Sequence, residues 1–253
     1  MNFQDKTIVI TGGGQGLGRT MAVEFAKKGA NIAVIDLGEE LLAETVALVE
    51  SLGRKAKYYI ANVAKEPEVE ATFEQIASDF DGIDGLVNNA GILRDGLFVK
   101  VKDGEVVKKM ELAQFQSVID VNLTGVFLCG REAVVQMIKY KRKGVIINMS
   151  SIARGGNMGQ TNYAAAKAGV VAMTTTWARE LGRHGIRVGA IAPGVIKTAM
   201  TDGMKPEMRE RLEKMKPVGR LGTAEEIAHT AQYIFENDFF TGRVVEIDGG
   251  LSM

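Results

Sequence analysis

A succession of short, almost wholly apolar runs separated by longer helical patterns constrains this chain most. Thr7-Ile8-Val9-Ile10, Asn31-Ile32-Ala33-Val34-Ile35-Asp36, Gly144-Val145-Ile146-Ile147-Asn148-Met149 and Ile186-Arg187-Val188-Gly189-Ala190-Ile191-Ala192 have no polar side to turn toward water. Strands of that kind belong in a parallel sheet, because the crossover helices cover both of its faces. Residues 57–61, 85–87 and 243–247 add three shorter runs. Between the runs the pattern predicts helices over 17–28, 39–52, 67–80, 112–140 and 163–183. Pro67 falls where a first-turn proline is permitted, and Gly29, Gly53 and Gly185 fall where helices stop. No linker-like shift in composition divides the chain. The expectation is one α/β domain over residues 1–253, doubly wound, with a seven-stranded parallel sheet and helices on both faces.

Two segments break the rhythm. Residues 97–110 read as a small hairpin around Asp103-Gly104, or as a surface loop. Residues 198–220 are rich in Met, Lys, Arg and Glu and carry Pro206 and Pro217, which suggests a helical excursion or substrate lid. Met200, Met204, Met208 and Met215 would give such a lid an adaptable apolar face, or simply pack a helix.

Composition removes several classes of function. The 31 basic residues balance 31 acidic ones, so the basic excess of a nucleic-acid binder is missing. Cys129 has no partner for an intramolecular disulfide, and with His184 and His229 it makes a poor metal-ligand set, so no metal is expected. No apolar run is long enough to span a bilayer, and the start lacks a charged-then-apolar leader. The expected setting is soluble, reducing and cytoplasmic, with no nucleic-acid or membrane partner.

Thirty of the 253 residues are glycine, where average usage would supply about 18. The excess must sit at particular turns. After the first strand comes Thr11-Gly12-Gly13-Gly14-Gln15-Gly16-Leu17-Gly18, which places glycines at 12, 16 and 18 in a spacing distinct from G-x-G-x-x-G. The physics is shared: glycines let the backbone turn sharply and approach a pyrophosphate seated on a helix N-terminus. Gly12, Gln15, Gly16, Leu17 and Gly18 are thus candidate dinucleotide contacts of a Rossmann-type domain. Asp36 ends the second strand, where a carboxylate accepts hydrogen bonds from a ribose and repels a 2′-phosphate. Neither Gln15 nor Leu37-Gly38 supplies a cation for such a phosphate, so NAD is expected over NADP.

Tyr163 and Lys167 are four apart, hence neighbours on one helical face. A free phenol titrates near 10, and a nearby ammonium would lower that value and ease proton exchange with an alcohol or carbonyl. Ser150 and Ser151 close the preceding strand.

Taken in order, Thr11-Gly12…Gly16…Gly18, Asn88-Asn89-Ala90-Gly91, Asn122, Ser150-Ser151, Tyr163…Lys167 and Pro193-Gly194…Thr198 resemble the short-chain dehydrogenase/reductase family over nearly the whole chain. Residues 159–169 and the ending Asp248-Gly249-Gly250 look most like its 3-oxoacyl-(acyl-carrier-protein) reductases. The resemblance implies an oxidoreductase with Tyr163 as acid/base, Lys167 lowering the phenol's pKa and binding the nicotinamide ribose, and a serine polarising the carbonyl oxygen. It implies Asn122 as the holder of a water in a proton relay from Lys167. Counting back from Tyr163 points to Ser150, whereas counting along the strand points to Ser151. A deletion fits more easily in the loop than in a buried strand, so Ser151 is preferred. By the same resemblance Asn62 and Val63 flank the adenine, and Asn89, Ala90 and Gly91 line the adenosine side. Ile196 and Thr198 would hold the nicotinamide carboxamide, and Pro193 and Gly194 would also contact the cofactor.

The chain departs from that subgroup in the long stretch between Asn89 and Asn122, and in Asp36 and Gln15, since the fatty-acid-synthesis enzymes use NADPH. The expected reaction is reduction of a 3-oxoacyl thioester, carried on acyl carrier protein or coenzyme A. The alternatives are an NAD-linked dehydrogenase of a secondary alcohol (steroid, sugar or 3-hydroxyacyl compound) and a non-catalytic NAD-binding regulator. Lys139-Tyr140-Lys141-Arg142-Lys143, with Arg183 and His184, would attract an acidic carrier or complement a helix dipole. A homotetramer is implied by resemblance, through 112–140 with 170–181 and through 244–253.

Overall fold

The computed structural model describes residues 1–197 and 206–251. Seven strands form one parallel sheet: β1 (Thr7–Thr11), β2 (Asn31–Asp36), β3 (Ala56–Ile60), β4 (Gly85–Asn88), β7 (Val145–Met149), β8 (Arg187–Pro193) and β9 (Val244–Ile247). Their order is β3-β2-β1-β4-β7-β8-β9, with every neighbouring pair parallel. The chain winds outward from β1 in one direction, then returns to β4 and winds outward in the other.

Side chains alternate across each strand, so one apolar run supplies two cores. Ile8, Ile10, Ile32, Val34, Val145 and Ile147 pack beneath α1 (Gly16–Lys27) and α8 (Ala224–Glu236). Val9, Ala33, Ile35, Leu86, Ile146 and Val188 pack against α3 (Glu66–Phe80) and α5 (Gly125–Lys139) on the opposite face. Helix α2 (Glu39–Ser51) lies against β2 and β3, and α6 (Thr161–Leu181) against β7 and β8. A further helix, α7 (Pro206–Lys214), lies within the expected lid.

The helix expected over 112–140 is interrupted. It runs as α4 (Leu112–Ile119), a π-helical segment over Asp120–Thr124, then α5. Such widened turns frequently mark functional sites, and this one carries Asn122. Helix α8 is absent from the elements that the pattern predicts. Its signals are nevertheless local: Thr223 accepts from the Glu226 N–H while the Glu226 carboxylate accepts from the Thr223 N–H. Ile227, Ala231, Ile234 and Phe235 then recur on one buried face.

The Asp103-Gly104 segment is a two-stranded antiparallel hairpin, β5 (Val99–Lys102) and β6 (Glu105–Lys109). Both turn residues have positive φ, 51° and 83°, matching the right-handed twist of the strands they join. Every residue of both strands is exposed, so the hairpin adds nothing to either core.

Loss of the α8 cap should be measurable. Thr223→Ala is expected to cost about 1 kcal/mol and to lower the thermal midpoint by roughly 2–4 °C, read by calorimetry.

Candidate active site

The sheet order reverses between β1 and β4, and the connections leaving those two strands diverge. Ligands of open α/β sheets bind in the crevice this creates at the carboxyl ends. A cavity of about 530 Å³ lies there.

Its floor is the glycine turn. The N–H groups of Gly12 and Gly13 both donate to the Ile35 carbonyl, at 2.8 and 3.2 Å, and Gly12 takes a φ of 65°. Gly12, Gln15, Gly16 and Leu17 line the cavity. Gly18 does not line it. A Cβ on Gly18 would collide with the Gly12 carbonyl oxygen and stand 2.9 Å from Asn89 Nδ2, so this glycine lets helix α1 approach the turn. Asn89 completes the floor: Nδ2 donates to the carbonyls of Thr11 and Gly12, both at 3.1 Å. Thr11 Oγ1 accepts from the N–H groups of Asn89 and Ala90 in return. Asn89, Ala90 and Gly91 all reach the cavity.

Asp36 stands at one end, beside Asn62 and Val63. Its Oδ2 accepts from the Gly14 N–H at 3.1 Å and its Oδ1 from the Leu37 N–H at 2.8 Å. Those bonds fix the carboxylate and leave it lone pairs for further donors. Arg19, close in sequence, is held elsewhere: it donates to the carbonyls of Gly14 and Leu41 and pairs with Glu44 at 2.8 Å.

Ser151, Tyr163 and Lys167 meet in the cavity, where Pro193, Gly194 and Ile196 also form wall. Lys167 is buried; its Nζ donates to the Met149 carbonyl at 2.7 Å and lies 5.6 Å from the centroid of the Tyr163 ring. Burial pushes the ammonium down to about 8. Burial holds the phenol above its ordinary value, against a hydrogen bond from Ser151 that lowers it, and Asp95 adds to the rise. Both Ser150 and Ser151 line the cavity, but their side chains take different partners. Ser151 Oγ accepts from the Ala153 N–H at 3.1 Å and stands with the Tyr163 hydroxyl, whereas Ser150 Oγ donates to the Lys167 carbonyl at 3.0 Å.

Asn122 is wholly buried and does not line the cavity. Its Oδ1 accepts from the Ile92 N–H at 2.8 Å and its Nδ2 donates to the Ile92 carbonyl at 3.0 Å. The π turn thereby braces the chain as it leaves β4, so the side chain supports the wall rather than belonging to it. Thr198, Met200 and Met204 lie outside the described residues. Leu93, Asn157 and Gln160 are wall residues that motif reasoning passes over. Only the position of Gln160, at the entrance to the helix that carries Tyr163, offered a signal.

Among the described residues no group of three or more His, Cys, Asp or Glu could hold a metal ion, and no helix is long and apolar enough to cross a membrane. A cradle whose floor excludes Cβ atoms, with a carboxylate fixed at one end, fits a dinucleotide.

The comparisons with known proteins agree. The family profile described as Enoyl-(Acyl carrier protein) reductase matches residues 12–252. The chain is 41% identical to the 3-oxoacyl-(acyl-carrier-protein) reductase FabG of Thermotoga maritima over 99% of both chains. It is 39% identical to the Staphylococcus aureus reductase of the same name over 98% of each. The crystal structure of levodione reductase superposes with a TM-score of 0.86 at 34% identity, covering 98% of both chains. The chain therefore belongs to the short-chain dehydrogenase/reductase family and is an oxidoreductase. Membership implies a nicotinamide dinucleotide cofactor.

Gly18→Ala tests the floor. A methyl group against the Gly12 carbonyl should displace helix α1, lowering the thermal midpoint and weakening dinucleotide binding by about tenfold or more, read by calorimetry and by fluorescence titration.

Proposed function

We propose that this oxidoreductase reduces a 3-oxoacyl thioester to the 3-hydroxy product with NADH. The convergence of a Tyr163 phenol held in its protonated form, the Ser151 hydroxyl and the buried Lys167 on one cavity carries the reading. The bound nicotinamide would supply the hydride. Ser151 would donate a hydrogen bond to the carbonyl oxygen, aimed where negative charge grows. Tyr163 would release its proton to that oxygen as it becomes an alkoxide. Lys167 would supply positive charge behind the ring and bind the nicotinamide ribose. Asn122 is read as a positioning residue, acting through Ile92 and the wall beside Gly91.

NAD is favoured over NADP because the two backbone N–H groups on Asp36 hold a carboxylate where a 2′-phosphate would sit, while Arg19 is tied to carbonyls and Glu44. The names of the relatives and of the structural neighbour, reductases all, support the direction of reduction. The thioester would arrive on acyl carrier protein or coenzyme A. Exposed Leu112, Phe127, Val135 and Ile138 on α4 and α5 support a homotetramer.

Acetoacetyl-CoA with NADH or NADPH, followed by nicotinamide absorbance, tests the substrate and the cofactor together. NADH should be preferred, and Tyr163→Phe should lower turnover by about 100-fold or more while NADH still binds. Turnover by NADPH alone would overturn the Asp36 argument. The pH profile gives a further check, since kcat/KM reports groups of the free enzyme. Reduction needs the Lys167 ammonium and the Tyr163 phenol, both protonated. Because Lys167 titrates lower, kcat/KM should hold below, and fall above, about pH 8.

A further inference from the structure

We propose that Asp95 is a specificity-determining residue: it fixes Gln160 on the cavity wall and makes the catalytic end of the cavity reject carboxylates. The carbonyl compound accepted is then neutral beside its reacting carbon, a thioester, ester or ketone in preference to a free 3-oxo acid. This rests on the reductase reading above and narrows its substrate class.

The chain at Asp95 is bonded to the loop that feeds Tyr163. Gly96 N–H donates to the Gly159 carbonyl at 2.8 Å, and Asn162 Nδ2 donates to the Arg94 carbonyl at 3.0 Å. Asn162 Oδ1 accepts from the N–H of Tyr163 itself. Within this zipper the side chains form a polar line: Asn157 Nδ2 donates to Gln160 Oε1, and Gln160 Nε2 donates to Asp95 Oδ2, both at 2.9 Å. Asn157 and Gln160 are cavity wall, so Asp95 orients two groups that an incoming substrate meets.

Charge makes the second half of the argument. The charged residues on the described cavity wall are Asp36, at the opposite end, and Lys167, whose ammonium is bonded to Met149. Arg94 turns a guanidinium N–H back to the Leu93 carbonyl. A substrate carboxylate entering beside Gln160 therefore approaches Asp95 and finds no described arginine or exposed lysine on the wall to pair with. Like charges brought together without compensation discriminate strongly between partners. Among the described residues, the groups set around the Tyr163 phenol are Lys167 on its own helix, the Ser151 hydroxyl after β7 and Asp95 on the segment leading into the hairpin.

Two substitutions separate charge from geometry. Asp95→Asn keeps an acceptor for Gln160 and removes the charge, whereas Gln160→Leu removes the bond and keeps the charge. The full-length enzyme is assayed with NADH on ethyl acetoacetate and on acetoacetate, at low and high salt. The wild type should prefer the ester by about tenfold or more, less so at high salt, because an exposed carboxylate is screened. Asp95→Asn should raise the acid-to-ester ratio of kcat/KM by about five- to tenfold, and Gln160→Leu should change it by less than about twofold. An unchanged ratio in Asp95→Asn, or equal use of both compounds by the wild type, overturns the proposal. Tyrosinate absorbance, with Tyr163→Phe as the blank, reads the same charge without turnover. The Tyr163 titration should move to lower pH in Asp95→Asn, and an unmoved titration counts against the assignment. Failure to reduce any ester or thioester, with the titration still shifted, would sink the thioester reading while upholding Asp95 as a charge acting on Tyr163.

Discussion

Asn89 holds together the two strand ends on which everything else in this structure depends. Its amide donates to the carbonyls of Thr11 and Gly12, and Thr11 Oγ1 takes the N–H groups of Asn89 and Ala90. These are backbone groups at the point where β1 and β4 stop pairing, and leaving them unsatisfied would cost about 1–3 kcal/mol each. With them satisfied, the chain can open a crevice at the reversal of strand order without weakening the sheet. Gly18 then brings α1 down onto the Gly12 carbonyl, which sets where the helix N-terminus points. The cofactor cradle is thus a consequence of how two parallel strands end.

Burial governs the chemistry at the other side of the crevice. Taking an ammonium out of water costs several kcal/mol even after relaxation, and Lys167 recovers part of that through the Met149 carbonyl. The same low-polarity surroundings raise the Tyr163 phenol, so burial favours the uncharged form of both groups. In the proposed reduction the phenol would keep its proton, beside a serine, until negative charge develops on a carbonyl oxygen.

The sheet and the shared helical face of Tyr163 and Lys167 were legible in the sequence because each rests on local chemistry. Continuous apolar runs dictate buried parallel strands, and Tyr163 and Lys167 must share a face once their segment is helical. Other features depend on contacts that a sequence does not display. Asn122 sits in a π turn because its amide meets Ile92, thirty residues away, so the uninterrupted helix expected there was a reasonable but local inference. Gly18 has the same residue type and motif as Gly12 but serves packing, which only the approach of α1 shows. Ser150 and Ser151 differ by the alternation of a strand, and their side chains accordingly go to different partners. Helix α8 was readable from Thr223, Glu226 and the spacing of its apolar residues.

A chain with balanced charges has placed them unevenly around this cavity. Asp36 is fixed at one end by two backbone N–H groups, and Asp95 stands behind Gln160 at the other. Between them the described wall offers one buried ammonium and the glycine turn at the start of α1. The partial positive charge of a helix N-terminus suffices for a pyrophosphate, which needs no lysine or arginine there. On the proposed reading, negative charge would be accommodated in the middle and refused at both ends. A ribose without a 2′-phosphate fits one refusal, and an acyl group esterified through sulfur fits the other. On the proposed function, cofactor choice and substrate choice would then follow from one electrostatic pattern drawn by Asp36 and Asp95.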